Sequence, residues 1–356
     1  MTTATAFFHD PRRRNLLTLL AIALLSFTFA WFALSEQAGE VAPHYASEPF
    51  LPGLAAHAQE VTRVHVVSRD GAFDVKLDPQ KGFVLPGHGN YPASFEQLRG
   101  TIVGLAALTT IEPKTARADW LHFVGLDPPQ TGGGGIQFTL YSDKGEKLAD
   151  IVTGKTVDIG DPNGAIGLFV RKPGEQQSWL VRSVFQPKAS EADWLDRNVL
   201  DIERARIQET DVQPQTGAAY GVRREQQNQS DFAIVNMPAG RELAYPGSPD
   251  GIAAAIVGFT FDDVKPASGL DFSNATHIVT HTFDGLNVAL DVIKNGADYW
   301  ATISAEAAPG KPEAEKEARA IDARSSGWAY KLPQFKGQQF MTPLESLLKP
   351  LGAPKK

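Results

Sequence analysis

The sequence contains no cysteine among its 356 residues. This absence excludes disulfide bonds, thiolate metal sites and cysteine nucleophiles. Basic residues are also outnumbered by acidic ones, which gives a formal net charge of −7. Nucleic-acid binding depends on lysine and arginine side chains that neutralise phosphates, so we expect no nucleic-acid partner for an acidic chain.

Charged residues are also missing from one long apolar stretch, Asn15–Leu34, which directly follows Arg12, Arg13 and Arg14. A helix of about 20 apolar residues is long enough to cross a bilayer core of about 30 Å. Arginines that flank such a helix stay on the cytoplasmic side. We therefore predict a cytoplasmic N-terminus at 1–14 and a single transmembrane helix at 15–34, with all later residues on the far side of the membrane.

A cleaved signal peptide is the alternative interpretation of this segment. The apolar core of a signal peptide is usually roughly 7–15 residues long, which is shorter than Leu16–Leu34. Aromatic side chains near its end, such as Trp31 and Phe32, suit a membrane–water interface. Because Ala33-Leu34-Ser35 is only a weak match to a cleavage site, a retained anchor is the favoured interpretation.

Three short motifs resemble chemical sites but favour structural roles. Gly154-Lys155-Thr156 ends like a phosphate-binding loop, yet Ala149 stands where the first glycine is required and no helix is expected to follow. The glycines Gly132–Gly135 favour a flexible lead-in to a strand. His277 and His281 would lie about 13 Å apart on a strand, which excludes a shared metal ion. No Gly-x-Ser-x-Gly elbow occurs, and we predict no catalytic residue, metal site or cofactor.

The composition, with 42% hydrophobic and 21% charged residues, is typical of a globular protein. After a linker predicted at 35–58, a pattern of strands and one helix occurs twice. In the first copy, Val61–Ser68 alternates like a strand, and Ser94 with Gln97 has the spacing of a capping box that begins a helix. In the second copy, Tyr245-Pro246-Gly247-Ser248 echoes Tyr91-Pro92-Ala93-Ser94.

This repetition predicts an α+β protein with two tandem, duplicated domains, each a mainly antiparallel sheet with one covering helix. The first α+β repeat is placed at 59–202 and the second at 203–348, with a tail at 349–356. An insertion rich in alanine, glutamate and lysine, Pro309–Ala323, is expected to form an exposed helix in the second copy.

Four tryptophans are the candidates for a ligand or partner surface. Trp179 and Trp328 occupy matching places in the two copies, and Trp120 and Trp194 lie nearby in the sequence. Packing in the core is the favoured interpretation of all four. The functional alternative is an exposed aromatic groove for a peptide or a sugar.

An ordered set of segments between about 50 and 200 resembles the DUF4340 family of bacterial envelope proteins. The segments that carry the resemblance are Phe50-Leu51-Pro52-Gly53-Leu54, Tyr91-Pro92-Ala93, Leu105-Ala106-Ala107-Leu108, Glu112-Pro113-Lys114-Thr115, Val124-Gly125-Leu126-Asp127-Pro128, Val152-Thr153-Gly154-Lys155, and Phe169-Val170-Arg171 leading to Ser178-Trp179-Leu180-Val181. Members of that family occur beside components of gliding-motility-type ABC transporters. The family has no established activity, so the resemblance implies no catalytic residues.

The resemblance implies a protein of the bacterial inner membrane whose large C-terminal part lies in the periplasm. We expect a non-enzymatic auxiliary or scaffold subunit of an ABC-type transport or envelope assembly, with the transporter's membrane and ATPase subunits as partners. The alternative is a periplasmic binding module for a polysaccharide or a lipid-linked substrate. A periplasmic hydrolase is the third and least favoured hypothesis.

Overall fold

The computed structural model describes Ser26, Thr28 and residues 47–350. Arg12, Arg13 and Arg14, nearly all of the predicted transmembrane helix 15–34, and the tail 351–356 lie outside the described residues. Among the residues described, no helix is long and apolar enough to cross a membrane. The transmembrane helix stays a prediction from the sequence.

Nine strands form the first sheet, and every pairing between them is antiparallel. The spatial order of the strands is β4-β3-β2-β1-β6-β7-β8-β9-β5. In chain order they are β1 (Val61–Ser68), β2 (Gly71–Asp78), β3 (Gly82–Leu85), β4 (Tyr91–Pro92), β5 (Thr109–Pro113), β6 (Ile136–Ser142), β7 (Lys147–Val157), β8 (Ile166–Arg171) and β9 (Ser178–Ser183).

Eight strands form the second sheet, which is antiparallel throughout and has the order β12-β11-β10-β14-β15-β16-β17-β13. The strands are β10 (Ile207–Gln213), β11 (Tyr220–Arg223), β12 (Ala233–Val235), β13 (Asp263–Pro266), β14 (Thr276–Thr282), β15 (Leu286–Asn295), β16 (Asp298–Ala307) and β17 (Trp328–Leu332). Apart from β4, each strand of the first sheet has a counterpart at the same place in the second.

Residues 47–350 also contain seven α-helices, of which only two are longer than ten residues. They are α1 (Leu54–His57), α2 (Phe95–Ala106), α3 (Leu121–Val124), α4 (Asp250–Ala253), α5 (Pro312–Ser325), α6 (Gln334–Phe340) and α7 (Leu344–Leu347). The predicted α+β class with two antiparallel sheets is confirmed. We call residues 47–202 the first repeat and 203–350 the second repeat, and the domain boundaries themselves stay a prediction.

Small irregularities repeat together with the topology. The pairing of β1 with β6 shifts register between Val61 and Arg63, and the pairing of β10 with β14 shifts between Ile207 and Glu209. In the hairpin turn that follows β14, the hydroxyl of Thr282 accepts a hydrogen bond from the backbone N–H of residue 286, and Ser142 makes the matching bond after β6. Shared bulges and turns of this kind support a duplicated architecture.

The sequence echo between Tyr91 and Tyr245 is not the structural equivalence. An isolated bridge pairs Ala93 with Leu195 in the first repeat, and another pairs Leu243 with Leu348 in the second. Ala93 therefore corresponds to Leu243, and Tyr91 corresponds to Arg241. The Tyr91 hydroxyl donates to the Asp196 carbonyl, and the Arg241 guanidinium donates to the matching Lys349 carbonyl. Tyr245 instead begins a turn, because the Ser248 N–H donates to its carbonyl.

Helix α2 begins where the sequence predicts. The Ser94 hydroxyl accepts a hydrogen bond from the Gln97 N–H, which is one half of a capping box. The reciprocal bond is replaced, since the Ser94 N–H donates to the Trp194 carbonyl and the Gln97 side chain donates to Thr101. The apolar face of α2 is buried on the first sheet, including Ile102 and Leu105.

The remaining sequence expectations are met only in part. Helix α5 forms close to the predicted segment 309–323, but it is not exposed all round, because Ala314, Ala318 and Ile321 are buried against β15 and β16. The predicted linker 35–58 also ends early. Phe50 and Leu54 are buried in the core, so this stretch belongs to the first repeat.

The two repeats pack against each other through one continuous hydrophobic core that extends from Phe50 to Leu348. Tyr91 of the first repeat lies in the middle of this contact. Its ring centroid is 5.0 Å from that of Trp328 and 6.1 Å from that of Phe261, both in edge-to-face geometry. Buried aromatic contacts of this kind fix the two sheets relative to each other.

Candidate functional site

The four candidate tryptophans do not share a surface. Trp194 is fully buried beside Phe73, and Trp328 packs on Tyr91 at the contact between the repeats. Trp179 is partly buried against the core. Only Trp120 is largely exposed, at 48% of its surface.

Trp120 belongs to a small exposed aromatic cluster on the connection between β5 and β6. The Arg117 guanidinium lies 4.8 Å from the centroid of its ring, and Phe123 meets the ring edge-on at 6.4 Å. Both aromatic rings are open to solvent. The pair offers a stacking surface but stands outside any groove described below.

Glycines in the two glycine-containing motifs allow neighbouring segments to pack closely together. Gly154 lies within β7, where a Cβ atom would collide with the Val124 carbonyl of α3. Gly133 and Gly135 pack tightly against Asp127, so this part of the predicted flexible lead-in is closely packed, whereas Gly132 has no atom within 4 Å of its Cβ position. The Lys155 ammonium donates to the Phe123 carbonyl. These residues hold the connection 114–135 on the outer face of the first sheet.

His277 and His281 both lie on β14, as predicted, and each imidazole has its own partner. His277 Nδ1 is 2.7 Å from Asp291 Oδ1, and His281 Nε2 is 3.2 Å from Asp211 Oδ2. A depression of about 490 Å³ lies beside them, lined in part by Asp211, His277 and Asn236. These contacts provide polar partners for both imidazoles on the surface of the sheet.

A partly buried charge cluster joins the repeats where the loop after β3 meets β13. His88 Nδ1 lies 3.1 Å from Asp263 Oδ1 and donates to the Val264 carbonyl at 3.0 Å, while His88 Nε2 is 3.6 Å from Glu191 Oε2. The carboxylate of Asp263, followed by that of Glu191, raises the pKa of His88 to about 10. His88 is therefore a cation at neutral pH.

The most unusual surface is an apolar groove along the solvent side of α2, which we call the α2 groove. Its volume is about 390 Å³. Three large apolar side chains on it are strongly exposed, namely Phe95 (70%), Val103 (51%) and Val184 (68%). Soluble proteins rarely leave several such side chains together on the surface unless a partner covers them. The groove is lined by Phe95, Glu96, Arg99, Gly100, Val103, Gly104, Val184 and Phe185.

Two glycines shape the groove. A Cβ atom at Gly104 would lie 2.5 Å from the Phe185 ring, so only glycine lets this ring rest on the helix. Ser183 holds Phe185 in place, because its hydroxyl donates to the Phe185 carbonyl and accepts from the Phe185 N–H. Gly100 has no atom within 4 Å of its Cβ position and leaves the floor of the groove open.

The groove lies close to the point where residue 47 joins the fold. The Phe50 N–H donates to the Leu108 carbonyl at 2.8 Å, and the Thr110 N–H donates to the Glu48 carbonyl at 2.9 Å. Leu108 follows the last turn of α2, which carries Val103 and Gly104. Glu48 and Phe50 therefore lie beside the C-terminal end of α2, near the groove.

Sequence reasoning missed this groove. The available signal was an apolar residue, Phe95, in the first turn of a helix whose inner face was already complete with Leu98, Ile102 and Leu105. Gly100 and Gly104 at a spacing of four added a second signal, because two glycines on one face of a helix leave a furrow.

Comparison with known families gives one match. The model of a family described as "Domain of unknown function (DUF4340)" matches residues 84–271, which is more than half of the chain. The matched range begins in β3, ends in the connection after β13, and includes the α2 groove and His88. No curated protein and no solved structure matched the chain.

Proposed function

The chain belongs to the DUF4340 family, and we propose that it acts as a membrane-anchored, non-enzymatic auxiliary subunit of an ABC-type transport or envelope assembly. In this proposal Asn15–Leu34 spans the bacterial inner membrane. Arg12, Arg13 and Arg14 stay in the cytoplasm, and both repeats lie in the periplasm. The partners are the membrane and ATPase subunits of the transporter.

The observation that carries the proposal is the α2 groove. Phe95, Val103 and Val184 expose large apolar surfaces next to one another, and covering them would release water at a favourable free energy of about 25 cal/mol per Å². A binding surface for protein accounts for this exposure without any chemistry at the site.

The position of the groove fits a membrane partner. Residues 35–46 connect the proposed anchor to the fold, and twelve extended residues reach at most about 40 Å. Because Phe50 pairs with Leu108 at the end of α2, an anchor linked through residues 35–46 would hold this side of the fold towards the membrane. A partner that rises from the same membrane would meet this side first.

The packing of the repeats fits a scaffold. Tyr91, Phe261 and Trp328 pack together where the two repeats meet, and His88 contacts Asp263 across the same boundary. A rigid pair of sheets holds partners at fixed distances, which is what an auxiliary subunit of a larger assembly requires.

Affinity purification from native membranes tests the proposal. The full chain with a C-terminal tag is extracted in mild detergent, and the bound proteins are identified by mass. We expect an ABC ATPase and its membrane subunit. Phe95→Asp should lose them, whereas Phe335→Asp on α6, a side chain of similar exposure at 62%, should retain them. Recovery of the wild-type protein alone would contradict the proposal.

A binding module for a polysaccharide or lipid-linked substrate is the second candidate. The exposed pair of Trp120 and Phe123 favours it, because aromatic faces stack on sugar rings. Binding of purified protein to an array of envelope glycans, compared with Trp120→Ala, tests this function. Equal signals from the two proteins would exclude these side chains as a glycan site.

A further inference from the structure

We infer that the α2 groove receives an amphipathic helix of a partner protein, and that an acidic residue of this helix pairs with Arg99. The inference rests on the proposed function, because it specifies the chemistry of the partner that the groove would bind.

The shape of the groove matches a helix. Phe95, Arg99 and Val103 follow one another at intervals of four residues and form a ridge on α2. Val184 and Phe185 form the opposite wall, and Gly100 leaves the floor between them open. Apolar side chains spaced three and four residues apart on a partner helix would fill such a groove.

The charge of the groove selects the partner. Arg99 is exposed in the middle of the apolar ridge, and within the described part of the chain it forms no ion pair. Glu96 lies one turn earlier and is exposed as well, yet the two side chains do not pair with each other. A guanidinium that becomes covered by apolar surface needs a carboxylate partner, which it binds through two parallel hydrogen bonds.

Other occupants match the groove less well. A bilayer surface would face the carboxylate of Glu96 at the rim and a chain of net charge −7, both of which oppose anionic headgroups. The apolar residues Leu16–Leu34 of the same chain contain no acidic residue for Arg99. A helix with one apolar face would cover Phe95 and Val103, and an acidic residue beside that face would pair with Arg99.

Photo-cross-linking of the full chain in native membranes tests the inference. Val103 is replaced by p-benzoylphenylalanine, and the adducts are mapped by mass spectrometry. We expect an adduct within a helical segment of another protein that carries aspartate or glutamate within one turn of the linked residue. An adduct with lipid, with Leu16–Leu34 or with a second copy would overturn the inference, and so would the absence of any adduct.

Substitutions in the same protein test the two contacts separately. Arg99→Glu should lower the yield of the adduct about fivefold, the effect of about 1 kcal/mol in binding, and Arg319→Glu on the exposed side of α5 should leave it unchanged. Gly100→Phe should block the groove, whereas Gly100→Ala should not. An equal yield from Arg99→Glu and Arg319→Glu would exclude the acidic partner residue.

The outcomes separate this inference from the proposed function. Purification of transporter subunits without an adduct at position 103 would retain the proposed function and overturn the helix in the groove. A helical, acidic adduct from a protein unrelated to transport would retain the helix and overturn the proposed function.

Discussion

His88 Nδ1 lies 3.1 Å from Asp263 Oδ1, and this contact joins the loop after β3 in the first repeat to the edge strand β13 of the second. The same imidazole donates to the Val264 carbonyl. In the opposite direction, His88 is the largest cause of the lowered pKa of Asp263. Because the two side chains belong to different repeats, their charge states affect how firmly the repeats are held together.

The stability of the protein should fall between about pH 6.5 and pH 10. His88 titrates at about 10 in the folded protein and at 6.5 when unfolded, so its stabilising charge is fully present below pH 6.5 and disappears as the pH rises through 10. We expect a loss of about 2 kcal/mol, since Asp263 is partly exposed and water screens the pair. The free energy of unfolding, measured by denaturant unfolding at a series of pH values, tests this expected loss.

His88→Gln provides the control for this titration. Glutamine retains a donor for the Val264 carbonyl but carries no charge, so the variant should be less stable than the wild type at pH 7 and similar to it at pH 10. A stability difference that is the same at both pH values would show that the charge of His88 has no role.

Two glycine substitutions on α2 should have opposite effects. Gly104→Ala places a methyl group 2.5 Å from the Phe185 ring and should destabilise the fold by about 1–3 kcal/mol. Gly100→Ala meets no atom within 4 Å and should stabilise it by about 0.5–1 kcal/mol through helix propensity. Thermal unfolding of the two variants compares them, and a stabilised Gly104→Ala would contradict the placement of Phe185.

Arg224 should be far more important for stability than its neighbour Arg223. Its buried guanidinium donates to four backbone carbonyls, those of Ile207, Gln229, Arg204 and Ala205. Lysine cannot reach all four, so Arg224→Lys should cost about 2–3 kcal/mol.

Arg223→Lys is the matched control, because Arg223 is exposed and pairs with Glu209 at the surface. This change should cost at most about 0.5 kcal/mol. Denaturant unfolding of both variants at pH 7 measures the difference. Equal losses of stability would mean that the carbonyl contacts of Arg224 do not hold the loops around β11.

The absence of cysteine makes the proposed topology directly testable. Single cysteines are introduced at Thr3 and at Arg319, and intact spheroplasts are treated with a maleimide that does not cross membranes. We expect Arg319→Cys to be labelled and Thr3→Cys to be labelled only after lysis. Loss of the Thr3→Cys site from the mature protein, with the remainder in the soluble fraction, would instead establish a cleaved signal.

Local patterns in the sequence predicted the elements but not their equivalences. Alternating residues located β1, and the spacing of Ser94 and Gln97 located the start of α2, because strands and caps depend on neighbours within a few residues. The sequence similarity between Tyr91 and Tyr245 does not reflect equivalent positions, because Arg241 is the structural counterpart of Tyr91. A Tyr-Pro pair can begin a strand or a turn, and only the bridges of each repeat decide which one forms.

The sequence by itself determined the two antiparallel sheets, the cysteine-free chemistry and the uncharged Asn15–Leu34, since each follows from residue type and spacing along the chain. The tertiary structure alone decided that the repeats share one core, that His88 meets Asp263, and that Phe185 rests on Gly104 to form the α2 groove. These features join residues that are tens or hundreds of positions apart. Their contacts depend on how the sheets pack in space, and no periodicity in the sequence encodes that packing.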